Sequence, residues 1–394
     1  MSNDVGQAAA TTADARSLRL LQVGAFTSNF DRLMIAPMLV VIAAEMGRSV
    51  EAVSQAAAIY FLCYGIAQIC WAVVSDRLGR VRTMRLALLF ATVGGLASAA
   101  VPDVGWLVVA RGVTGACFAA AIPGALVYIG DTVPVKVRQA PLTDLMTSSA
   151  VGMAMATVAA GAIADLTSWR VAFALTAVVA GVLSFVMRGM TEPSLGAPPP
   201  VWASLKGVLT NRPALLVLVL VLAEGLVLLG PLTFLPVVLH ASGLSVTVSG
   251  LLTAAYGLAV LVFARVVKAR ATRVAPATLI LIGGGMAVLA YVLLVLTHAA
   301  PAVVAGTVLL GGGWAFMHST LQTWATDMAP GYRATAVSLF ATMLFTGSAI
   351  GAAVFGSMVD TGRFTTMFAI TLAVSVPLVL TATLGRRRYA TKGQ

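Results

Sequence analysis

Charge is scarce in this chain. Asp, Glu, Lys and Arg together make up 10% of the residues, against about 25% in a soluble globular domain. So few charges cannot clothe a water-facing surface, which excludes a soluble enzyme and leaves no room for a separate soluble domain. Acidic residues are the rarer sign, with 14 Asp and Glu against 25 Lys and Arg and a net charge of +11. Cysteine is nearly absent too. Cys63, Cys70 and Cys117 all fall in apolar stretches, so no disulfide framework is expected and all three read as packing residues. Metal-ligand spacing and a nucleophilic triad are both missing. The runs Gly283-Gly284-Gly285 and Gly311-Gly312-Gly313 lack the lysine and strand context of a phosphate loop. Close helix packing explains them better. No cofactor or metal is expected, and the chain does not read as an enzyme.

What the chain does have is apolar length. Hydrophobic residues make up 59% of it and the mean hydropathy is +0.97. Apolar segments run over 18–45, 51–75, 84–101, 105–130, 140–163 and 170–189, then 213–240, 247–267, 276–297, 302–325, 334–358 and 363–385. A hydrocarbon core of about 30 Å takes about 20 helical residues to cross. Backbone facing lipid must satisfy its own hydrogen bonds, and no alternating strand pattern is visible. The fold class is therefore an all-α polytopic membrane protein with 12 transmembrane helices, embedded in a lipid bilayer. The polar start, 1–17, reads as a retained tail, because the first span has no small-residue cleavage site.

If the first terminus is cytoplasmic and the spans alternate, 20 of the 25 basic residues fall on that side. Arg48, Arg170 and Arg363 lie opposite, and Arg32 and Arg111 lie inside spans. That is the positive-inside pattern, so both termini are expected in the cytoplasm. Topology accounts for the basic balance, and a nucleic-acid partner drops out.

The segment 191–212, with Pro193, Pro198, Pro199 and Pro200, reads as a cytoplasmic linker between two bundles at 18–190 and 213–385; a short tail, 386–394, ends the chain. The halves repeat each other. From Arg138 and Arg333 onward, Gly152, Gly161, Asp165 and Phe173 match Gly347, Gly356, Asp360 and Phe368 at a constant offset of 195. Asp131 and Pro134 likewise echo Asp327 and Pro330, and Ser49-Val50 echoes Ser245-Val246. Two pseudo-symmetric six-helix bundles are how many secondary transporters expose one central site to alternate sides.

Between spans 2 and 3 stands Asp76-Arg77-Leu78-Gly79-Arg80-Val81-Arg82, and span 4 carries Arg111 with Gly115. These stretches are similar to the cytoplasmic signature of the major facilitator superfamily and to the arginine motif of its proton-driven branches. The chain resembles that superfamily over its whole length, and its 12-helix drug–proton antiporter branch in particular. Two departures stand out. The second-half loop, Lys268 to Arg273, has Ala269 and Ala271 in place of Arg77 and Gly79. In span 5, Thr157 stands where the antiporters carry a proline, and Ala156 and Ala160 stand for glycines. The resemblance implies that Asp76, Arg80 and Arg138 latch the cytoplasmic side shut, with Arg77 and Gly79 shaping the turn.

Ionisable groups within the spans are costly unless paired or hydrated, so each is a candidate site. Asp31 and Arg32 are helix neighbours about 100° apart and cannot both face one small site. Asp31 is expected to face the cavity within reach of Arg111 as a proton-sensitive carboxylate, or else to form a permanent pair with it. Glu224, alone in span 7, is the second candidate for proton carriage or for recognising a cationic substrate. His318 in span 10 can titrate near neutrality, although its own helix offers no carboxylate. Tyr60, Tyr64 and Gln68 share one face of span 2 and are expected, with Arg32, Trp314, Gln322 and Trp324, to line a cavity for amphipathic ligands. The expected function is proton-coupled export of a small amphipathic or drug-like molecule by alternating access. Proton-linked uptake of an organic anion, bound through Arg32 or Arg111, is the alternative. A monomer in a bacterial inner membrane is expected.

Overall fold

The computed structural model describes residues 13–193, 201–270 and 273–392. Most of 1–17, the prolines Pro198 to Pro200, Ala271 and the last two residues lie outside these. Span 1 is a bent pair of helices, Ala15–Leu33 and Ile35–Glu45, meeting at 44°. Pro37 explains the bend, because its ring collides with the carbonyl four residues back and its nitrogen donates no hydrogen bond. The remaining spans are Val50–Leu78, Arg80–Ala100, Val104–Thr132, Gln139–Leu166 and Trp169–Gly189, then Arg212–Ala241, Val246–Arg270, Pro276–Leu296, Ala300–Met328, Arg333–Asp360 and Phe364–Tyr389. A further short helix, Val201–Leu209, lies between spans 6 and 7.

Local chemistry sets the ends of the spans. Asp14, Ser49, Asp103 and Ser245 accept hydrogen bonds from the backbone N–H groups of Ser17, Ala52, Trp106 and Val248, satisfying first-turn donors that have no partner within the helix. Span 2 stops at Gly79, whose φ of +104° suits a residue without a Cβ. Cys117 is buried and Cys63 partly so, but Cys70 is exposed on the outer surface of span 2, which corrects its reading as a packing residue.

The two halves meet at the face opposite the basic loops. Asp360, at the end of span 11, accepts from the N–H of Val50 at the start of span 2 (2.8 Å). Asp165, at the end of span 5, does the same for Thr247 at the start of span 8, accepting from its N–H (2.8 Å) and its hydroxyl (2.5 Å). The two aspartates are repeat-related, and each binds its carboxylate to the positive first turn of a helix from the other half. Midway through the bundle, the Thr342 hydroxyl donates to the carbonyl of Gly65 (2.8 Å).

A cavity of about 1080 Å³ runs from the centre towards the basic face. Its mouth is lined by Asp76, Arg80, Arg265, Lys268 and Arg333, its depth by Arg32, Tyr64, Trp314 and His318. The molecule is open on the face that carries the basic loops and closed on the other.

Candidate functional site

Span 4 carries Arg111 fully buried against span 1. Its Nη2 donates to Asp31 Oδ2 at 2.9 Å and to the Asp31 carbonyl at 2.9 Å, and its Nη1 to Asp31 Oδ1 at 3.2 Å. The Thr176 hydroxyl, from span 6, donates to Asp31 Oδ1 at 2.9 Å. Rings of Tyr60 and Phe173 cover the guanidinium from spans 2 and 6, with centroids 4.5 and 4.7 Å from its carbon. Gly115 makes this fit possible: a Cβ there would stand 2.6 Å from the Tyr60 carbonyl.

Asp31 and Arg111 are thus brought together as expected, but Asp31 is completely buried and off the cavity wall. Its expected orientation towards the cavity is corrected, because both carboxylate oxygens are already engaged by groups on spans 4 and 6. Tyr60 is corrected with it, since it lies over Arg111 and does not line the cavity. Trp324 also turns away, packing near Arg386 and Tyr389.

Arg32, Tyr64, Gln68, Trp314, His318 and Gln322 do line the cavity. Trp314 and His318 lie in one π-helical turn, Trp314–His318, and stack with centroids 3.9 Å apart. Such turns are rare and collect at functional sites. His318 Nδ1 lies 3.2 Å from Glu224 Oε2, across from span 10 to span 7. Glu224 is fully buried, and its Oε1 has no hydrogen-bond partner among the described residues. His318 therefore stands between a buried carboxyl and the open cavity. The acid that meets it comes from another span, since Asp327, at the far end of span 10, is bound to Arg386. Tyr256, on span 8, is buried with an unpartnered hydroxyl and lies within electrostatic range of both Arg32 and Glu224. Sequence reasoning passed over it, yet it sits 196 residues after Tyr60. Gly311, 196 after Gly115, abuts the Tyr256 carbonyl as Gly115 abuts that of Tyr60.

At the basic face, Arg80 bridges Asp76 (2.5 Å) and Asp131 (3.3 Å). Arg138 donates instead to the carbonyls of Gly130 (2.5 Å) and Val133 (2.9 Å). Of the three expected latch residues, Asp76 and Arg80 are joined and Arg138 stands apart in this open conformation, and the hydrogen bonds of Arg80 and Arg138 end within the first half. Arg77 is exposed. Glu192, which the motif reading omitted, accepts from the N–H groups of Val81 and Arg82 at 3.0 Å each and caps span 3. A Cβ on Gly79 would collide with that carboxylate. Among the described residues no group of His, Cys, Asp and Glu is arranged to hold a metal ion.

Twelve spans in two repeat-related halves around a central cavity open on one face define a membrane transporter. The chain belongs to the major facilitator superfamily, whose model matches residues 21–352 and, a second time, 233–393. None of the curated proteins compared with it matches. Among solved structures, it is similar to a bacterial homolog of the human lysosomal transporter Spinster in an inward-facing, unoccupied conformation: 16% identity, TM-score 0.78, covering 95% of this chain and 97% of that one. A D-xylose–proton symporter matches at 16% identity and TM-score 0.77, over 93% and 96% of the two chains. A nucleoside transporter matches at 14% identity and TM-score 0.77, over 93% and 99%. The chain is an integral membrane transporter, not an enzyme.

Proposed function

We propose that this transporter exports a small amphipathic molecule in exchange for protons, taking it up from the cytoplasm through the open mouth. On this reading both termini and the basic face are cytoplasmic, the membrane is a bacterial inner membrane and the protein works as a monomer. The observation that carries the proton role is Glu224, a fully buried carboxyl with one free oxygen, whose other oxygen meets an imidazole on the cavity wall. A proton reaching His318 from the vestibule has an acceptor 3.2 Å away. Asp31 has no such free oxygen, and with Arg111 it serves as a clamp between spans 1, 4 and 6. The apolar vestibule wall suits an amphipathic cargo. A second reading, proton-linked uptake, gains support from Thr157, which occupies the place of the antiporter proline.

A thermal-shift screen of the purified protein supplies a transported ligand, since ligands that bind only the native state raise apparent stability. In proteoliposomes, an acidic lumen then drives accumulation of that ligand by an exchanger, and an alkaline lumen drives it by a symporter. Accumulation with an acidic lumen is expected. Accumulation indifferent to either gradient would remove proton coupling altogether.

A further inference from the structure

Arg32 is buried at 6% exposure on the cavity wall, and no carboxylate among the described residues pairs with it. Its Nη2 donates to Asn29 Oδ1, Met153 Sδ lies 3.9 Å away, and its Nε has no partner. The rings of Tyr64 and Phe345 lie 5.4 and 5.1 Å from the guanidinium carbon. Asp31, its neighbour in the chain, is committed to Arg111 on another side of the helix. A guanidinium kept in a membrane without a counter-ion is costly, and such residues mark the path of a ligand. The remaining charge in the cavity points the same way: among the described lining residues Asp76 is the one acid, and it is bound to Arg80, while Arg265, Lys268 and Arg333 add positive charge.

We propose that the cavity binds an amphipathic organic monoanion, its carboxylate-like head on Arg32 and its apolar body against Tyr64 and Phe345. The proposal deepens the transport reading and rests on it, naming the chemical class of the cargo. Arg111 does not compete for the head group, because both its Nη atoms are bound to Asp31, two rings cover it and it lies off the cavity wall. A planar guanidinium matches a planar carboxylate through two parallel hydrogen bonds, and the free Nε supplies one donor. The cation-recognising role considered for Glu224 loses ground, because that carboxyl lies behind His318 and not on the wall.

The test is equilibrium dialysis of the purified full chain in a neutral detergent, at one pH and with no gradient. The probes are 1-naphthoate, 1-naphthamide and 1-naphthylmethylamine, which share a ring and differ in head-group charge. The wild type is expected to bind the carboxylate at least about thirtyfold more tightly than the amide, and the amine more weakly still. Arg32→Gln is expected to lose that carboxylate preference with amide binding unchanged. Arg32→Lys, which keeps the charge but not the fork, should fall between. Equal binding of the three probes, no binding of the carboxylate, or wild-type carboxylate affinity in Arg32→Lys would each overturn the proposal. Should Arg32→Gln fail to fold, as judged by its melting temperature, the wild-type series and Arg32→Lys still decide. Dialysis without a gradient is blind to proton coupling, so failure here leaves the proton reading intact, and loss of coupling leaves anion preference readable.

Discussion

At the scale of single residues, two buried acids one half apart differ in how fully they are satisfied. Asp31 accepts three hydrogen bonds from Arg111 and Thr176, whereas Glu224 meets one imidazole and keeps one oxygen free. Breaking a buried pair by removing one partner leaves an uncompensated charge and costs about 3–5 kcal/mol, while replacing both partners with apolar groups is often neutral. Arg111→Met is therefore expected to lower stability by about 3–5 kcal/mol in denaturant unfolding of micellar protein, and Asp31→Leu combined with Arg111→Met to recover most of it. A double variant no better than the single one would show that the pair is more than a clamp. The existence of all three buried groups, Asp31, Arg111 and Glu224, was legible in the sequence, because charges within apolar spans are rare. Their orientation was not: one residue of rotation separates a cavity-facing side chain from a buried one, and the sequence shows no partner that arrives from another helix.

At the scale of helices, the instructive features lie at the ends of the spans. Asp165 and Asp360 stood out in the repeat, but nothing in their own neighbourhoods in the chain told that each binds the first turn of a helix 82 or 310 residues distant. An N-cap contributes about 1 kcal/mol, and these two act only while the halves are closed on that face. Asp165→Ala and Asp360→Ala are each expected to shift the balance towards opening of the non-basic face by about 1 kcal/mol. Nitroxide pairs at Pro102 and Thr297, in a background lacking Cys63, Cys70 and Cys117, read this as a longer distance. An unchanged distance distribution in the double variant would remove the capping contribution. Helix packing offers a second check. A Cβ on Gly225 would overlap the carbonyl of Leu344, so Gly225→Leu is expected to force spans 7 and 11 apart and to lower the melting temperature. Gly285, on span 9, has open space around it, and Gly285→Ala should leave the melting temperature unchanged. The π-helical turn at Trp314–His318 had no counterpart in periodicity, since one extra residue in a turn leaves an apolar helix looking as before.

At the scale of the whole molecule, the duplication explains the frame and its divergence explains the chemistry. Gly115 and Gly311 do the same packing work beneath Tyr60 and Tyr256. Arg111, by contrast, has Thr307 as its counterpart 196 residues on, and Arg32 has Leu228, so the first half keeps the buried arginines. Glu224 corresponds to Ser28 at the same offset, which gives the second half the unsatisfied acid. The twelve spans and their repeat were legible because apolar length and residue offsets survive in a linear string. Which face the cavity opens to was not, because both faces are built from the same rods and differ only in how the halves tilt. Proton exchange through Glu224 is tested most directly by a pH-sensitive dye sealed inside proteoliposomes while a ligand identified by thermal shift is added outside. The wild type is predicted to change the lumenal pH as the ligand enters, and Glu224→Gln to carry the ligand with no change in pH. Ligand-dependent proton movement of wild-type size in Glu224→Gln would contradict the account.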